Sequence, residues 1–256
     1  MLWYKAWLET RWRFIIPLIV MVCSTVGVVF TWPTTKNTLV PLASTVTQTG
    51  EIGRQIREAL ELSKTYPGYI FGQLWSQNLR QMGTLFAALL GTGGLLAQTS
   101  GGGALFTLSL PASRNHILGV RAAIGFAEFF AIVFGAAVLI PVFSPAVGES
   151  YGIGDSLVHA TFLFLGGLSV FSLAFLLSTI FTDVWRPLTL TLLITIVFGL
   201  VETFSDTLSR VGIFSAMSGE TFFRSGAVPW PGLLISVALS AILLWTASRI
   251  TAGRDF

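Results

Sequence analysis

The stretch FIIPLIVMVCSTVGVVFTW, residues 14–32, contains no formally charged side chain. A helix needs about 20 such residues to cross the roughly 30 Å hydrocarbon core of a bilayer. Further apolar runs of this kind recur along the chain. Hydrophobic residues make up 53% of it and charged residues only 11%, whereas soluble domains carry about 25% charge. The mean hydropathy is +0.77. One water-soluble core cannot conceal that much apolar surface, so hydrocarbon is the expected solvent. The fold class that follows is an all-α integral membrane protein.

Six spans are expected, at about 14–32, 71–98, 116–140, 157–181, 187–201 and 231–248, within a single transmembrane domain covering 1–256. Pro33 and Pro141 are read as stops for the first and third spans, and Pro187 and Pro231 as first-turn residues of the fifth and sixth. The opening MLWYKAWLETRWR places Trp3 and Trp7 on one helical face among Lys5, Arg11 and Arg13, which suits an amphipathic helix lying in the membrane interface. The first apolar run has no A-x-A cleavage pattern and is expected to stay as an anchor. Residues 51–64 form an amphipathic surface helix on this reading, with Ile52, Ile56 and Leu60 on one face and Arg54–Glu58 and Arg57–Glu61 as i,i+4 pairs.

The second span is the unusual one. Its strongly apolar part, Met82 to Leu96, is short for a bilayer, so the helix must continue back through FGQLWSQNLRQ (71–81). Gln73, Gln77, Asn78 and Arg80 there should face protein or water, since lipid solvates none of them. Gly91, Gly93 and Gly94 permit close helix approach. Trp230 and Trp245 bracket the sixth span as interfacial aromatics do.

Six spans bring both termini to one side. That side would hold Lys5, Arg11, Arg13, Arg114, Arg121, Arg186, Arg249 and Arg254 against Glu9, Asp183 and Asp255. The opposite side would hold eight acids and the remaining basic residues, most of them in one long loop. The excess of basic residues in short segments makes the terminal side cytoplasmic.

ALFTLSLPASRNHILGVRAA (104–123) then falls between spans two and three on the cytoplasmic side. Gly101 to Gly103 break the preceding helix. Phe106, Leu108 and Leu110 are apolar residues on a segment facing water, Pro111 stiffens the turn, Ser113 can cap the next helix, and Arg114 follows. Two readings fit these residues: a docking contact for a soluble partner, or an ordinary tight loop whose leucines dip into the interface.

The order apolar span, glycine step, L-x-L-P-x-S-R, basic residue, apolar span resembles the permeases of the ABC-2 family of ATP-binding-cassette transporters, matching at Leu108, Leu110, Pro111, Ser113 and Arg114. WLETRWRF (7–14) is similar to that family's helix before span one, and FLLSTIFTDVWRPLTL (175–190) to its span four to span five turn. The family often carries an acidic residue just before the glycine step, where this chain has Gln98 and Thr99. The resemblance implies a multi-pass subunit of the inner cell membrane that pairs with a second permease, identical or similar. It implies separate ATPase subunits that bind ATP and Mg and dock on the 101–116 segment, with Phe106 to Arg114 as the coupling contact. It also implies export of a hydrophobic or amphiphilic substrate. The residues themselves agree that no ATPase is built in, since no G-x-x-x-x-G-K-[ST] motif is present.

Glu128 lies in the middle of the third span. A carboxylate at that depth is either functional or hydrogen-bonded to a neighbouring span, for instance through Ser or Thr. With Arg80, Gly91 and Gly94 it is a candidate for the pathway or a helix interface. Arg121, seven residues earlier and roughly 10 Å away along the helix, is too far for a direct pair. His116 and His159 fall on opposite sides, so no two-histidine metal site forms in one subunit, and no catalytic triad or HExxH motif is present. Ser169, Ser172 and Ser178 are expected to bond back to their own helix, and Cys23 to be a small apolar residue. An ATP-independent carrier or a membrane assembly scaffold is the alternative; a carrier would favour an inverted internal repeat, and no clear symmetry is visible. A membrane-embedded enzyme would need His, Asp and Ser or Cys at one depth.

Overall fold

A chain in hydrocarbon must satisfy its backbone donors and acceptors within itself, which favours continuous helices. The computed structural model describes residues 2–42, 60–92, 114–205, 208 and 211–253, and these are mostly helical, with no strand among them. The main elements are α1 (Leu2–Leu42), α2 (Tyr66–Tyr69), a π-helical segment (Ile70–Leu79), α3 (Arg80–Gly91), α4 (Arg114–Phe143), α5 (Ile153–Ile180), α6 (Trp185–Phe204), α7 (Ile213–Ser218), α8 (Glu220–Ser225) and α9 (Trp230–Ala252). Among the described residues, five helices are long and apolar enough to cross a membrane: Thr10–Thr38, Asn115–Val147, Ile153–Ile180, Trp185–Phe204 and Trp230–Ala252.

Helix boundaries depart from the proline rule in two places. α1 continues through Pro33 to Leu42, and α4 continues through Pro141 to Phe143. In apolar surroundings a lost backbone bond is tolerated when neighbouring hydroxyls supply donors. Pro141 frees the Ala137 carbonyl, four residues back, and the Ser156 hydroxyl from the following helix donates to it at 2.7 Å. The turn of 3₁₀-helix Ser144–Val147 and Gly148 at φ 75° end the α4 rod instead. Residues 2–13 are not a separate interfacial helix; they are the first turns of α1. The second apolar segment also stops earlier than its hydropathy suggests. Gly91 ends α3 and Thr92 is extended, at φ −80° and ψ 108°. Thr65 caps α2, accepting the Gly68 amide at 3.3 Å.

Contacts fix the direction of each helix. Thr10 meets Glu128, Gly135 faces Leu18, and Phe30 meets Phe143, so α1 and α4 run parallel. Tyr69 reaches Val28, while Arg13 reaches Thr92. The 66–91 helix therefore runs antiparallel to α1. Gly83 packs on Leu163 and Gly91 on Phe171, so α3 and α5 are parallel. Ser156 Oγ donates to the Ala137 carbonyl at 2.7 Å and Gly167 abuts Phe129, which makes α4 and α5 antiparallel. α5 sits at the centre, against α3, α4, α6, α7 and α9. Its close contacts need glycine: a side chain at Gly91 would strike the Phe171 carbonyl and Ala174.

Candidate functional site

Polar side chains collect at the two ends of this bundle. At the end where α3 and α5 finish, Thr10 and Arg13 lie one helical turn apart on α1 and face the same way. Thr10 Oγ1 donates to Glu128 Oε1 at 2.5 Å. Arg13 Nη1 donates to the Thr92 carbonyl, just beyond α3, and its positive charge acts on Glu128. Glu128 is buried, and its Oε2 meets no hydrogen-bond donor among the described residues. Ser178 of α5 approaches the Gly91 carbonyl at 3.5 Å. Three helices thus meet where the chain leaves α3.

At the opposite end, Glu202 near the close of α6 is buried and accepts the amides of Phe214 at 3.1 Å and Ser215 at 2.6 Å. A carboxylate at a helix N-terminus is stabilised by the orphan amides and the helix dipole. Arg80 feels both Glu202 and Glu220, and Glu220 also accepts from Arg224 Nε at 2.8 Å.

An aromatic chamber adjoins this group. His159 of α5 is 2% exposed. Its ring stacks on Trp75 with centroids 5.3 Å apart and meets Phe71, Phe162 and Phe222 at 5.6–6.2 Å. Nδ1 lies 2.8 Å from the Asp155 carbonyl, and Nε2 is buried without a hydrogen-bond partner among the described residues. Gly219, at φ 67°, turns α7 into α8 against the imidazole, where a side chain would press on the ring. Beside it, Trp32 Nε1 donates to Glu149 Oε1 at 3.0 Å, Lys36 Nζ reaches the same oxygen at 3.3 Å, and the Tyr66 and Ser144 hydroxyls are 2.7 Å apart. Burial holds the Tyr151 phenol well above its ordinary pKa, so it stays protonated.

No family model, curated protein or solved structure matches this chain.

The residues singled out from sequence therefore separate. Glu128 and Gly91 belong to the end that holds Thr10 and Arg13, and Arg80 lies about 16 Å from Gly91 along the helix. Arg114 begins α4, while its side chain, together with Phe106, Leu108, Leu110, Pro111, Ser113 and Gly94, lies outside the described residues. So do residues 51–59 of the amphipathic segment. Ser169 and Ser178 bond back to Gly166 and Phe175, whereas Ser172 is buried with no partner among the described residues. Among those residues no cluster of three His, Cys, Asp or Glu side chains is positioned to hold a metal. Sequence reasoning missed Thr10, Arg13 and Glu202 as partners. The i,i+3 spacing of Thr10 and Arg13 was the one available signal.

Proposed function

We propose that the chain is the permease subunit of an ABC-2-type exporter, pairing with a second permease and driven by separate ATPase subunits that bind ATP and Mg. Six crossings form the channel half, the sixth being the composite 66–91 helix. The alternation of helix directions from α1 to α5 supports this count, because serial crossings produce it.

One observation carries the reading. Gln73, Gln77 and Gln81 recur every fourth residue along the 66–91 helix, and all three are exposed on the outer surface of the bundle. Lipid cannot solvate a stripe of amides. A second permease facing across a polar path can, and so can water and cargo within that path. Of the described basic residues, Arg11, Arg13, Arg121, Arg186 and Arg249 lie toward the α1 start and the α5–α6 turn, against Lys36, Lys64, Arg80 and Arg224 toward the other end, and this small excess supports a cytoplasmic position for the first end. Thr92 and Arg114, the described residues on either side of 93–113, both lie toward that end. The substrate class is hydrophobic or amphiphilic on this reading.

The test is co-purification of the tagged chain with P-loop ATPase subunits, followed by ATPase and transport assays of Pro111→Ala and Arg114→Ala. The proposal expects a stable complex in which these variants hydrolyse ATP without transport. A chain that transports cargo with no ATPase present would instead be an ATP-independent carrier. One that neither transports nor recruits an ATPase would be a scaffold.

A further inference from the structure

A cavity of about 250 Å³ lies between α5, α6, α7 and α9. Ser169, Val170 and Leu173 form its inner wall; Ile194 and Phe198 of α6 and Leu239 of α9 flank it. Ser169 and Val170 are buried, at 5% and 4% exposure, whereas Ile194, Phe198 and Leu239 are 36–47% exposed on the outside of the bundle. The cavity thus joins a buried wall to the surface that hydrocarbon covers. The wall offers little to water, since the hydroxyls of Ser169 and Thr195 are the only polar side-chain groups among its lining residues. Ser169 spends its hydroxyl on the Gly166 carbonyl at 2.6 Å, and the Phe214 and Ser215 amides at the adjoining start of α7 are taken by Glu202. A buried water needs two to four polar partners, and an apolar cavity of about 150 Å³ already stays dry and takes up benzene.

Depth decides what fills it. Residues 169–173, 194–198 and 239–243 are each in the middle of their helices. A lipid headgroup lies near the helix ends, some 10–15 Å away at 1.5 Å per residue, and so cannot reach this level. The part of a lipid found there is the end of its acyl chain. We infer that this cavity is a lateral binding site for the methyl-terminal part of a bilayer lipid's acyl chain, entered between α6 and α9. The inference requires only that these helices sit in a membrane, and it holds whether or not the chain couples to an ATPase.

The test uses the full-length protein in phosphatidylcholine vesicles containing a phosphatidylcholine with a diazirine near the methyl end of one chain, or near its carbonyl. After irradiation, cross-linked residues are identified by mass spectrometry. The methyl-end probe is expected to mark Ser169 or Val170 several-fold more than the carbonyl-end probe does, since those buried residues are reached only through the cavity. Leu173→Trp and Leu243→Trp, which fill the space from different helices, should each reduce that label several-fold while label at Ile16 and Ile19 on α1 persists. Label confined to Ile194, Phe198 and Leu239 in the unaltered protein would overturn the inference, whatever the variants do. So would equal marking of Ser169 and Val170 by both probes, or marking that survives filling in variants with unchanged helix content.

Discussion

Glu128 illustrates what a buried carboxylate contributes when its partners come from another helix. It accepts from Thr10, so Glu128→Ala removes the acceptor of a buried hydrogen bond between two helices. Leaving a buried hydrogen-bonding partner unsatisfied costs about 1–3 kcal/mol, and a loss of that size is expected in the unfolding free energy of the detergent-solubilised variant. Glu128→Gln keeps an acceptor for Thr10 and should lose less. Equal stability of both variants and the parent would show that the contact contributes nothing. The sequence makes Glu128 visible as a costly charge at depth, yet it cannot say which hydroxyl answers it. Thr10 is 118 positions away, and no periodicity links the two. Glu202 is similar: it reads as one acid in a polar stretch, and only folding brings α7 under it.

At the scale of elements, Glu202 joins α6 to a helix of six residues. So short a helix is marginal alone, and its first amides depend on the carboxylate. Glu202→Ala should therefore speed hydrogen exchange at Phe214 and Ser215 while leaving exchange in the centre of α5 unchanged. Unaltered exchange at those two amides would remove the capping role. The π-helical segment Ile70–Leu79 invites a second test. A π turn carries an extra residue relative to an α turn, so deleting one residue between Gly72 and Gln77 can be absorbed by rewinding. Deleting one within α3, where Gly83 and Gly91 are matched to α5, shifts every later contact. The first deletion should retain far more folded protein than the second, measured by size-exclusion chromatography and circular dichroism. Long apolar cores were legible in the sequence, and their ends were not. Pro33 and Pro141 read as stops by rules drawn from water, whereas here both helices run on through them, and at Pro141 a serine hydroxyl from α5 stands in for the missing backbone donor. Faces were illegible for a related reason, since a helix that is apolar all round carries no stripe to say which side meets protein.

For the whole molecule, the testable quantity is which end faces which compartment. Cys23 is the only cysteine and is exposed, so Cys23→Ser gives a background for single-cysteine labelling. Cysteines at Asp183 and at Ser63, on opposite ends of the bundle, should react with a membrane-impermeant maleimide from opposite sides of sealed vesicles, Asp183 from the cytoplasmic one. Labelling of both from one side would overturn the crossing pattern. The attachment of Arg13 to the Thr92 carbonyl bears on how such a bundle takes up load. A tug on the chain beyond Thr92 arrives at Arg13 on α1 as well as at α3. Through Thr10 and Glu128 it arrives at α4 too, so three rods share the strain at one knot rather than passing it hand to hand.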